Sequence, residues 1–200
     1  SGLPDIPPSV CAVCLLVGLA PGLVCAWKGS ATTFLHCVVF CSMSAFMLAY
    51  HVHEKAIMTA IVPLTLLLFE GRTDNPGRIQ LLFLRMNALG LFGLFPLLFR
   101  PIELGLKVTL LVGFLAFLVG SVNITTTYYV RIGALVLAIT GLFLEVIHPI
   151  AIFPKLEFLP LLLTSIVCAS GLVVCWMECG RVMWDSRSSR KPANNKVKQP

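Results

Sequence analysis

Leu159-Pro160-Leu161-Leu162-Leu163-Thr164-Ser165-Ile166-Val167-Cys168-Ala169-Ser170-Gly171-Leu172-Val173-Val174-Cys175-Trp176-Met177 runs without a charged side chain. A helix rises about 1.5 Å per residue, so about 20 apolar residues cross a hydrocarbon layer of roughly 30 Å. Similar runs recur upstream at Val10–Trp27, Thr32–Tyr50, Ala56–Phe69, Ile79–Phe99, Gly105–Val122 and Ile132–Ile147. Strands of a membrane barrel alternate apolar and polar residues, and these runs do not. They predict an all-α fold: a polytopic membrane protein with about seven transmembrane helices.

Composition agrees with that class. The chain has 200 residues, 58% of them hydrophobic and 12% charged, with a mean hydropathy of +0.92. A soluble domain is about one-quarter charged, because its surface must stay hydrated. The apolar supply here exceeds what one soluble core of this size buries. The breaks between runs, such as Glu70-Gly71-Arg72-Thr73-Asp74-Asn75-Pro76-Gly77-Arg78, are too short to hold a soluble domain. Residues 1–177 therefore read as a multi-pass region, and residues 178–200 as a basic tail, solvated and disordered.

The first residues, Ser1-Gly2-Leu3-Pro4, lack Met, and Asp5 stands where a signal peptide carries positive charge. The first run thus reads as an internal span. The tail holds Arg181, Arg187, Arg190, Lys191, Lys196 and Lys198, six of the fifteen basic residues. Basic residues flanking spans favour the cytosolic side, so the tail is expected there. Seven passes then put Lys28, Arg72, Arg78 and Arg131 on the cytosolic side, with Lys55, Arg100, Lys107 and Lys155 opposite. The loops balance, and the tail decides. Its cations, beside an anionic leaflet, account for most of the net charge of +6. No nucleic-acid motif accompanies them, and no nucleic-acid partner is expected. Lys196 and Lys198, fifth and third from the end, resemble the dilysine signal by which coat proteins return membrane proteins to the endoplasmic reticulum. A generic basic tail is the plainer alternative.

Most polar residues within the runs have structural explanations. Arg85, Asn87, Glu145 and His148 are expected to face other helices, since each is unfavourable in lipid unless paired. Cys11 and Cys14 form a C-x-x-C inside an apolar run. Cys37 and Cys41 share a helical face, as do Cys168, Cys175 and Cys179; all read as small side chains at helix contacts. Asn123-Ile124-Thr125 is a glycosylation sequon by pattern, but on the cytosolic side of this topology it is unused.

His51-Val52-His53-Glu54-Lys55 is different, with four ionisable side chains in five residues between two apolar runs. The Ala56–Phe69 run is too short to cross alone. Starting the helix at His51 lengthens it to about 28 Å. On such a helix His51, Glu54 and Lys55 share a face, while His53 points elsewhere. No further residues with ligand spacing follow, so no metal is expected. An anionic phosphate fits better, with Lys as a point charge and His as a switchable donor. The competing reading is an interfacial turn whose charges merely reach water.

Ala49-Tyr50-His51-Val52-His53-Glu54-Lys55-Ala56-Ile57-Met58 resembles the HVHEK motif of the dolichyl-phosphate-glucose-dependent α-1,3-glucosyltransferases of N-glycan precursor assembly. Phe95-Pro96-Leu97-Leu98-Phe99 with Glu103-Leu104, and Leu159–Ser165, extend the resemblance over nearly the whole chain. It is closer to the members adding the second glucose than to those adding the first, and it places the chain in the C-terminal portion. The resemblance implies a GT-C fold in the endoplasmic reticulum membrane, with the HVHEK turn lumenal. It implies dolichyl phosphate glucose as donor, a monoglucosylated dolichyl-diphosphate oligosaccharide as acceptor, and no cofactor. Lys55 and His51 would hold the donor phosphate, Glu54 would orient them or the sugar, and His53 would assist. The catalytic base would be an acidic residue in the N-terminal half, which is absent here; Asp5 and Asp74 are not in its context. A transporter and a non-catalytic scaffold are the rival classes. The first predicts an internal repeat, which the sequence lacks, and the second leaves the cluster without a role.

Overall fold

The computed structural model describes residues 6–27, 29–50, 52–70, 76–97, 103–122, 128–152, 156 and 158–188. The regular elements among them are helical. They are α1 (Pro8–Trp27), α2 (Ala31–Leu48), a 3-10 turn at Glu54–Ile57, α3 (Met58–Phe69) and α4 (Pro76–Gly93). After a short turn at Phe95–Leu97 come α5 (Leu104–Val108), a π-helical stretch Thr109–Gly113 and α6 (Phe114–Val122). Then follow α7 (Tyr128–Leu142), a second π-helical stretch Phe143–Ile152, and α8 (Leu159–Ser188).

Among the described residues, five helices are long and apolar enough to cross a bilayer: Pro8–Trp27, Ala31–Leu48, Leu104–Ser121, Val130–Ile150 and Leu159–Ser188. The polytopic, all-α class holds. Of the seven expected spans, two differ from the rest. Helix α3 has 12 residues, roughly 18 Å at the helical rise. Helix α4 has the length, but Arg78, Gln80, Arg85 and Asn87 lower its apolarity. It can carry them because it is enclosed by α3, α6 and α8, with Ile79, Leu82, Met86 and Phe92 buried. Asn87 donates to its own helix at Phe83 O, 2.8 Å away, so its amide is not left bare.

Neighbouring helices run antiparallel. Thr32 of α2 donates to Glu70 at the end of α3 (2.8 Å). The start of α2 also meets the end of α8, where Thr33 donates to Ser186 O (3.5 Å). Arg78 at the start of α4 reaches Glu178 and Asp185 late in α8. Lys107 on α5 meets Glu145 beyond α7. Lipid tails are as apolar as Leu, so packing and polar contacts, not exclusion from water, hold such helices together. Small residues permit that packing. A Cβ on Gly22 would lie 2.4 Å from Cys41 Sγ, and one on Gly18 2.4 Å from Leu48 Cδ1, so these glycines bring α1 against α2. Trp176 of α8 donates its indole N–H to Ser44 Oγ of α2 (2.8 Å) at a fully buried position.

Two expectations are corrected. The helix after the HVHEK cluster does not begin at His51. Helix α2 stops at Leu48, Ala49 and His53 are extended (ψ 153° and 150°), and α3 starts only at Met58. Extended residues break the helix here without Gly or Pro. The final helix also does not end at Met177, where the tail was expected to begin. It continues to Ser188, because Cys179, Val182 and Met183 still bury a face against the bundle. Residues 189–200, with Lys196 and Lys198, lie outside the described residues, as do His51 and the sequon at 123–125.

Candidate functional site

The antiparallel bundle has two chemically different ends. One gathers the start of α2, the end of α3, the start of α4 and the end of α8. There Arg78 pairs with Glu178 (2.9 Å) and Asp185 (2.8 Å), and Arg181 pairs with Glu178 (3.3 Å). Arg187 lies over the Trp184 ring, 5.5 Å from its centroid. A cleft of about 590 Å³ opens at this end, between Pro21, Phe40, Arg78 and Trp184.

The other end carries the HVHEK cluster. Val52 and His53 are exposed, and His53, in an extended conformation, is the N-cap of the turn Glu54–Ile57. The Ala56 N–H donates to His53 O (2.9 Å), and Thr59 donates to Ala56 O (2.7 Å), which closes the turn onto α3. Ile57, 4% exposed, anchors it. Its Cγ2 would lie 3.4 Å from a Cβ on Gly90, so it packs against the last turns of α4. Lys55 is exposed beside His53. The result is an imidazole and an ammonium presented to solvent from a turn pinned by a buried side chain. Glu54 and Lys55 stand in a 3-10 turn that precedes α3, and not in the first turn of the α-helix that was expected to carry them. The Glu54 side chain and all of His51 lie outside what is described.

A second polar group at this end was only half-read from the sequence. Lys107 Nζ sits 2.5 Å from Glu145 Oε1, with the two side chains 7% and 29% exposed. One helical turn on, His148 is buried and donates from Nε2 to Leu156 O (2.8 Å) at the entry to α8. Glu145 and His148 thus face protein as anticipated, and Lys107, expected only on the side opposite the tail, is buried against Glu145. Both partners adjoin π-helical stretches, Lys107 just before one and Glu145 inside the other. Wide turns of this kind are frequent at functional sites. No signal links two residues 38 apart on different helices. Five of the eight cysteines are buried at helix contacts, as read; Cys14 is exposed. Among the described residues, no His, Cys, Asp and Glu group could hold a metal ion.

Fold and site together define a polytopic helical membrane protein that presents Lys and His at one end of its bundle and an arginine network at the other. The chain belongs to the ALG6, ALG8 glycosyltransferase family, whose model matches residues 1–179. Its relatives include the mouse protein named dolichyl pyrophosphate Glc1Man9GlcNAc2 alpha-1,3-glucosyltransferase, 33% identical over 87% of this chain and 34% of the relative. The Bos taurus protein of that name is 32% identical over 88% and 34%, and the Saccharomyces cerevisiae one 28% identical over 87% and 32%. The chain thus spans about a third of the length of these curated relatives.

Proposed function

We propose that this chain forms the C-terminal, donor-binding part of a glucosyltransferase that moves glucose from dolichyl phosphate glucose to the monoglucosylated dolichyl-diphosphate oligosaccharide, in α-1,3 linkage. The observation that carries the reading is the pinned turn exposing His53 and Lys55 within a chain of this family. The acceptor hydroxyl attacks the anomeric carbon as the bond to the dolichyl phosphate oxygen breaks. Its proton goes to an acidic base outside this chain, and dolichyl phosphate departs as the anion. Lys55, with His51 and His53, stabilises that departing charge; Glu54 orients them. Lipid phosphate as leaving group requires no metal here.

In this reading the turn faces the lumen of the endoplasmic reticulum and α8 emerges into the cytosol. The gathering of Arg78, Arg181 and Arg187 at the end opposite Lys55 supports that orientation. Lys196 and Lys198 serve as a coat-protein retrieval signal. The direct test offers membranes containing the full-length protein two acceptors, the unglucosylated and the monoglucosylated lipid-linked oligosaccharide, with dolichyl phosphate glucose. Glucose should reach the monoglucosylated acceptor. Transfer to the unglucosylated one alone would assign the first-glucose reaction instead, and transfer to neither would remove the enzymatic reading.

A further inference from the structure

Arg85 stands near mid-length of α4, nine residues past Pro76 and so roughly 13 Å along the helix. It is partly buried. Residues on either side of its stripe show where it points. Leu89, one turn on, meets α8: a Cβ on Gly171 would lie 2.7 Å from its Cδ1. Phe92, two turns on, meets α7: a Cβ on Gly141 would lie 3.7 Å from its ring. Arg85 therefore faces the seam between α8 and α7, beside Cys175.

Among the described residues it makes no hydrogen bond or ion pair. The described carboxylates along α4 and α8 are engaged elsewhere: Glu178 by Arg78 and Arg181, Asp185 by Arg78. Glu145 is held by Lys107 and Glu70 by Thr32, at opposite ends of the bundle. A guanidinium cannot shed its charge, and an unpaired cation at mid-membrane is strongly unfavourable. A lipid headgroup is a poor partner, since phosphates lie roughly 15 Å from the midplane. Val174 of α8, near that seam, is exposed, and the outer face of α7 is apolar and uncovered at Leu135, Val136 and Ile139.

We propose that Arg85 receives a carboxylate carried at mid-depth by a membrane helix from outside these 200 residues, seated on the seam between α7 and α8. The relatives have about two-thirds of their length beyond the matched region, and the acid belongs to that part of the same protein. The pairing is independent of which glycan the enzyme serves.

The test uses the full-length protein in membranes, reading the amount recovered as a single folded species after detergent extraction. Arg85→Glu should lower recovery on the order of tenfold, Arg85→Lys much less. Reversing one Asp or Glu to Arg, in a span outside the matched third, should restore Arg85→Glu while harming the protein when made alone. Restoration only by a reversal in a co-purifying subunit would overturn the assignment to the same protein. Normal recovery of both Arg85→Leu and Arg85→Glu, or failure of every reversal, would overturn the pairing itself.

Discussion

Replacing one member of the Lys107–Glu145 pair should be worse than replacing both. The side chains are 7% and 29% exposed, so their surroundings are unequal. Breaking a buried pair by removing one partner costs about 3–5 kcal/mol, because the other charge stays desolvated. Lys107→Met leaves a carboxylate that is less enclosed than the ammonium, so its loss should fall at the low end, about 3 kcal/mol. Glu145→Gln strands an ammonium that is almost fully enclosed, and should approach the upper end, about 5 kcal/mol. The double change Lys107→Met with Glu145→Leu removes both charges and keeps apolar volume, so it should cost about 1 kcal/mol or less. Polar contacts between membrane helices average only about 0.6 kcal/mol in coupling, whereas these losses amount to a coupling of about 7 kcal/mol, more than tenfold larger. The assay is thermal unfolding of the detergent-solubilised full-length protein, followed as the fraction remaining monodisperse. If the double variant is as unstable as the two single losses added together, the pair is uncoupled and the reasoning fails. Equal losses for the two single variants would refute the burial argument specifically.

Ser44→Ala removes the acceptor of the Trp176 indole N–H at a fully buried contact and should cost about 1–3 kcal/mol in the same unfolding assay, while Ser44→Thr keeps an acceptor and costs less. A protease added to sealed microsomes should remove a tag placed after Pro200; a protected tag would invert the proposed topology. Replacing Lys196 and Lys198 with Ser should let a reporter carrying this tail leave the endoplasmic reticulum, whereas unchanged retention would reduce them to generic basic residues.

The fold class was legible because lipid makes a simple demand: runs such as Leu159–Met177 have the length and apolarity of a span and little else. The helix boundaries were less so. Beyond Met177 the helix continues through Glu178, Arg181 and Asp185, whose charges suggested a solvated tail, while Cys179, Val182 and Met183 on its other face stay buried. The break near the HVHEK cluster was anticipated, but not its form, since extended conformations at Ala49 and His53 leave no Gly or Pro to mark them. That Arg85 and Asn87 of α4 face other helices was anticipated; which helices enclose α4 was not, because its packing against α3, α6 and α8 is a tertiary fact. The ion pairs were invisible for the same reason, Arg78 lying 100 residues from Glu178. At the candidate site, the residue types and their place at one end of the bundle were readable. Their backbone was not, because Glu54 and Lys55 stand in a 3-10 turn after an extended His53 and not at the head of an α-helix.

The central claim is that Lys55 and its neighbours bind the donor phosphate of a glucosyl transfer. Its most direct measurement is the rate of glucose transfer from dolichyl phosphate glucose to the monoglucosylated acceptor, in membranes containing the full-length protein and normalised to its amount. Losing one contact to the developing phosphate charge costs on the order of 3 kcal/mol, about a hundredfold in rate. Lys55→Ala and His51→Ala should each show a loss of that order, and Val52→Ala, an exposed residue between them, should stay near the unmodified rate. Near-normal transfer by Lys55→Ala and His51→Ala would contradict the account and leave the cluster as an interfacial turn.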